Sequence, residues 1–139
     1  MSQKSTRNLP PVALLGMAWL VPGSAHLFLN RRFRAVLYFV TVGLFFWLSI
    51  ALGAYVVIPG TEGYATESFA MFKFLGGLAN GLHFFLALIF KSEILNYSTI
   101  NQLKAVLTNE YATTLLYTAG IINILSGVDA LDIWKGKKN

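Results

Sequence analysis

Six hydrophilic residues stand inside stretches that are otherwise greasy: His26, Asn80, His83, Asn123, Asp129 and Asp132. Such side chains are costly among acyl chains, so each is a candidate functional group. Two histidines on different helices, His26 and His83, could ligate a haem iron or a chlorophyll-type pigment. His26, Asp129 and Asp132 could instead line a path for protons or ions. A third use is structural: Asp129 pairs with Arg31 or Arg34, while His26 donates to Asn123 or to a carbonyl freed by Pro22. Those bonds would tie the first and last segments together at roughly 0.6–2 kcal/mol each. The structural use is the expected one, because nothing else in the chain is specific to a cofactor; neither a cofactor nor a metal ion is expected. The chain has no Gly-x-Ser-x-Gly, no phosphate-binding glycine loop and no His-Glu-x-x-His, so catalysis is not expected either.

The elements that must position these residues follow from composition. Of 139 residues, 55% are hydrophobic and 12% are charged, with a mean hydropathy of +0.59. Soluble domains carry roughly twice that share of charge. The chain therefore reads as one all-α, polytopic integral membrane domain over residues 1–139. Its net charge of +5 comes from short basic groups beside apolar runs, an arrangement that suits anionic headgroups rather than nucleic acid. Cysteine is absent, which excludes disulfides and thiolate chemistry.

Four membrane-embedded helices are expected, at about 12–29, 35–58, 69–90 and 112–134. The run 12–29, after a basic leader, also has the outline of a signal peptide with Gly23-Ser24-Ala25 as its small-residue site. The run 35–58 contains no charge, and its length requires a helix, which satisfies its own backbone in lipid. In the third run Gly77 and Gly81 are four apart, a small-residue spacing that would let another helix approach closely. Asn80 and His83 are expected on one face of that helix, and Asp129 and Asp132 on one face of the last. Ile100, Leu103, Val106 and Leu107 recur at helical spacing, so 92–110 is expected as an amphipathic helix on the membrane surface.

Pro22 removes a backbone donor and Gly23 tolerates the resulting bend, so the first helix should be kinked or re-entrant there. Its freed carbonyls need partners from Ser24, His26 or another helix. Arg31, Arg32 and Arg34 then anchor the chain at the headgroups. If all four runs cross, five basic residues (Lys4, Arg7, Lys135, Lys137, Lys138) face one side. Five others (Arg31, Arg32, Arg34, Lys91, Lys104) face the opposite side. If the first and last runs return to the side they left, all ten collect on the cytoplasmic side. At least one of these two runs is therefore expected not to cross straight.

The stretch from Ala18 through Pro22-Gly23-Ser24-Ala25-His26 to Asn30-Arg31-Arg32 resembles an uncharacterised family of small bacterial membrane proteins. Their signature is Pro-Gly-x-Gly-His-x-Tyr-Leu-Gly-Arg, and they are related to the two-transmembrane-helix domain family. Residues 120–123 and 129–134 resemble the end of that domain, where an aspartate lies near the end of the second helix. Ser24-Ala25 and Leu29-Asn30 depart from the usual x-Gly and Leu-Gly. The resemblance implies a fold rather than an activity. The expectation for function is a multi-pass protein of the bacterial cytoplasmic membrane, acting as an accessory or scaffold subunit that packs against other membrane proteins or itself. The alternative is a small channel or transporter component.

Overall fold

The computed structural model describes residues 9–54, 70–90 and 102–138. Its helices are α1 (Pro11–Leu20), α2 (Ser24–Phe28), α3 (Arg32–Ala51), α4 (Ala70–Leu78), α5 (Leu82–Ile89) and α6 (Gln102–Trp134). No strand occurs among the described residues. Among the described residues, two helices could by length and composition cross a membrane: α3, and Tyr111–Trp134 of α6. The expected four become two, because the first and third runs are each broken in the middle. The surface helix expected at 92–110 is also revised, since 102–110 continue into α6 without a break; residues 92–101 lie outside the described residues.

Three helices stop in the same way. At the end of α3 the Gly53 N–H bonds Ile50 and the Ala54 N–H bonds Ser49. At the end of α6 Gly136 bonds Ile133 and Lys137 bonds Asp132, and at the end of α2 Asn30 bonds Leu27 and Arg31 bonds His26. Each is a Schellman cap, which requires a left-handed residue just past the helix. Gly53 (φ 100°), Gly136 (φ 73°) and Asn30 (φ 58°) supply it. Asn30 stands where the resembled signature has glycine, and asparagine is among the few other residues that tolerate this region. Gly53 also explains why α3 ends at Ala51; residues 55–58 of the second run lie outside the described residues.

Helices α3 and α6 run antiparallel. Arg34 at the start of α3 meets Asp129 near the end of α6, while Ile50 and Ala54 share a cluster with Ala112 at the other end. Two short helical hairpins pack against this pair, entering from opposite ends. In the first, α1 packs Leu14 with Ala130, passes Ala18 beside Gly127 and reaches Asn123 with Trp19. It turns at Pro22-Gly23, and α2 returns to Asp129 with His26. In the second, α4 crosses Gly120 at Gly76 and reaches Asn123 with Ala79. It turns at Asn80-Gly81, and α5 runs back with Ala87 in the cluster of Ile50 and Ala112.

The two halves thus follow one plan, a broken hairpin followed by a long helix, in opposite directions. Eight of the fourteen buried hydrophobic residues described are alanines, including Ala18, Ala119 and Ala130. Small residues of this kind let helix backbones approach closely without bulky interdigitation.

Candidate functional site

The hairpin tips meet at a point midway along the apolar part of α6. Asn123, fully buried, donates from Nδ2 to the carbonyl oxygens of Trp19 and of Ala79, at 2.9 Å each. The indole Nε1 of Trp19 donates to Leu78 O at 2.9 Å. Asn80 donates to Gly76 O and Gly77 O at 3.0 and 3.2 Å, and to Leu116 O of α6 at 3.2 Å. Apart from Leu116 O within α6, these carbonyls lie where α4 or α1 ends and the regular helical ladder stops; Gly77 O and Leu78 O also accept the turn N–H groups of Asn80 and Gly81. Side-chain donors do the work instead. The bend at Pro22 is closed by Ser24, whose hydroxyl donates to Met17 O at 2.6 Å.

Both turns need glycine. A Cβ on Gly23 (φ 78°) would collide with the carbonyl oxygen of Ala35, and one on Gly81 (φ 57°) with that of Trp19. Gly81 is therefore a turn residue, and its pairing with Gly77 as a notch on one helix face is overturned. Gly77 faces Phe84 within its own hairpin. The close crossing is made by Gly76 and Gly120, since a Cβ on Gly120 would meet Gly76 O at 2.8 Å. The break also separates Asn80 from His83: Asn80 bonds backbone at the turn, whereas His83 lies buried against Gly43, Phe39 and Phe46 of α3. They do not share a helix face.

The second cluster is ionic and lies at the end where α3 starts and α6 stops. The Oδ2 of Asp129 is 3.1 Å from His26 Nε2 and 3.1 Å from an Arg34 guanidinium nitrogen, and its Oδ1 accepts from Lys138 Nζ at 2.9 Å. Lys138 also lies 3.8 Å from Asp132. The Asp129 carboxylate holds the Lys138 ammonium above lysine's ordinary pKa. His26 is fully buried, with the ring of Tyr38 4.9 Å away across its face. The expected Asp129–Arg34 pair is present. His26, however, bonds Asp129 rather than Asn123 or a freed carbonyl.

His26 and His83 have separate surroundings, and among the described residues no group of three or more His, Asp or Glu is placed to hold a metal ion. Trp19, Tyr38, Gly76 and Lys138 were not legible as site residues. For the second turn a signal existed: Asn80-Gly81 is a turn dipeptide.

A family of unknown function (DUF6677) has a model that matches residues 12–139. No curated protein and no solved structure matches the chain.

Proposed function

Because the chain belongs to the DUF6677 family, for which no activity is defined, we propose from its own geometry that it is a multi-pass membrane protein whose work is packing. In this reading it is an accessory or scaffold subunit of the bacterial cytoplasmic membrane, joined to other subunits or to copies of itself. One observation carries the reading: polar groups are turned inward and apolar ones outward. The fully buried set includes His26, Ser49, Asn80, Asn123 and Ser126. Meanwhile α3 exposes Phe33, Val36, Leu37, Val40, Leu44, Trp47 and Leu48, and α6 exposes Ile121, Ile124, Leu125 and Val128. Each set follows helical spacing, forming a continuous apolar stripe. In water a surface of that extent would aggregate; against acyl chains or another helix it is at rest.

The hairpins fit the same setting. Ten residues of α1 rise about 15 Å, half of a hydrocarbon core of about 30 Å, so two opposed hairpins meeting at mid-depth would cover its thickness between them. Broken helices are tolerated in lipid only where protein satisfies their freed backbone, and Asn123, Asn80, Trp19 and Ser24 do this. The test is extraction of the tagged chain in mild detergent, followed by identification of what co-purifies. A stoichiometric membrane-protein companion or a defined homo-oligomer supports the scaffold role. A stable lone monomer counts against it.

A channel or transporter component is the second reading, favoured by a different observation. Of the six buried polar side-chain atoms without a partner among the described residues, four lie in one region: Asn80 Oδ1, Asn123 Oδ1, Ser126 Oγ and His26 Nδ1. They follow one another from the hairpin junction toward Asp129. Opposed broken hairpins also occur in transporters, where they surround a site near mid-depth. A proton or cation flux in proteoliposomes that Asp129→Asn abolishes would move the weight to this reading.

A further inference from the structure

The end of the molecule that carries Asp129 has more positive charge than its own carboxylates use. Arg31, Arg32 and Arg34 open α3, and Lys135, Lys137 and Lys138 close α6. The contact between Arg34 and Asp129 brings those two ends together. Against six cations stand Asp129 and Asp132, a local excess of +4 with His26 neutral. Arg34 and Lys138 are paired with them, whereas no carboxylate of the described residues pairs with Arg31, Arg32, Lys135 or Lys137.

These four cations are interleaved with bare apolar surface. Phe33, between Arg32 and Arg34, is 80% exposed, and Val36, one turn further along α3, is 59% exposed. A soluble anion or a nucleic acid would answer the charge and leave the apolar side chains wet. A zwitterionic headgroup would bring its own cation into a region already in excess.

We propose that this end is a binding site for an anionic phospholipid. The lipid phosphate lies among Arg31, Arg32, Lys135 and Lys137, and an acyl chain runs down past Phe33 and Val36. The site rests on the membrane reading above and adds a chemical class to it. Arg34 and Lys138 remain committed to Asp129, so the lipid closes over the ion cluster rather than replacing it.

The test is native mass spectrometry of the full chain in mild detergent with equal amounts of phosphatidylglycerol and phosphatidylcholine. The expected result is preferential retention of phosphatidylglycerol. It should fall about fivefold for each cation neutralised in Arg31→Gln/Arg32→Gln and in Lys135→Gln/Lys137→Gln, as expected for basic residues at an anionic surface. Phe33→Ser, which keeps every charge, should also weaken retention, because an acyl chain loses its wall. Helicity by circular dichroism confirms that each variant is folded, and none of these five residues belongs to the packed interior. Equal retention of the two lipids, or retention indifferent to both pairs of substitutions, overturns the proposal. So does displacement of the lipid by equimolar inorganic phosphate together with indifference to Phe33→Ser, which would mark a free-anion site. A wild type that stays in solution without detergent would instead defeat the membrane reading itself.

Discussion

The side-chain amide of Asn123 donates to the carbonyl oxygen of Trp19 across 2.9 Å, joining residues 104 positions apart. With its bond to Ala79, this one residue fastens both hairpin tips to α6. Asn123→Ala removes both bonds and strands two helix-terminal carbonyls. The expected loss is on the order of 1–3 kcal/mol, read as an earlier midpoint in denaturant titration. Unchanged stability would mean that the tips are held by packing alone.

Glycine substitutions separate the turns from the helices. Gly81→Ala places a methyl group on the carbonyl oxygen of Trp19 in a left-handed backbone, and should cost about 1–3 kcal/mol from strain alone. Gly16→Ala, inside α1 with open space around it, should leave stability unchanged or raise it by up to about 1 kcal/mol. Thermal unfolding of the two variants side by side checks the contrast.

Asp129 has three cationic or cation-capable partners and Asp132 has one distant one. Asp129→Asn should therefore cost about 1–3 kcal/mol, whereas Asp132→Asn should stay within about 0.5 kcal/mol. Equal effects of the two in the same assay would show that the cluster is not centred on Asp129.

The raised pKa of Lys138 has a definite sign. The Lys138 contact with Asp129 favours the folded state fully below the ordinary lysine value of 10.5, and is lost as pH rises through the higher folded value. In an NMR titration of reductively methylated protein, the Lys138 signal should titrate above 10.5 and return toward it in Asp129→Asn. A Lys138 signal that ignores the aspartate would mean the tail is not docked.

The chain contains no cysteine, so introduced ones report cleanly. On the proposed embedding, cysteines replacing Arg32 and Lys137 should be labelled from the same side of the membrane, and one replacing Ala51, at the far end of α3, from the other. Labelling of positions 32 and 137 from opposite sides would contradict the antiparallel arrangement of α3 and α6.

The legible parts of the fold were those set by local chemistry. The break at Pro22-Gly23 follows from a missing donor and a permissive glycine, and the pairing of Asp129 with an arginine follows from the cost of leaving either alone. The second hairpin was missed because Gly77 and Gly81 also fit a helix-packing spacing, and hydropathy across 69–90 is high whether the chain runs straight or doubles back. The partners of Asn123 were beyond reach. They are backbone carbonyls, which every residue possesses, and only the meeting of two distant turns exposes these particular ones.

On the proposed embedding, the opposed hairpins constrain how the protein is made. The tip at Trp19 emerges first, yet its acceptor site at Asn123 is translated 104 residues later, roughly 5–20 s at ordinary elongation rates. For that interval the hairpin has α3 beside it, through Gly23 against Ala35 and His26 beside Tyr38, but its tip has no side-chain donor. The first turn to be synthesised is therefore fastened only when the last helix arrives.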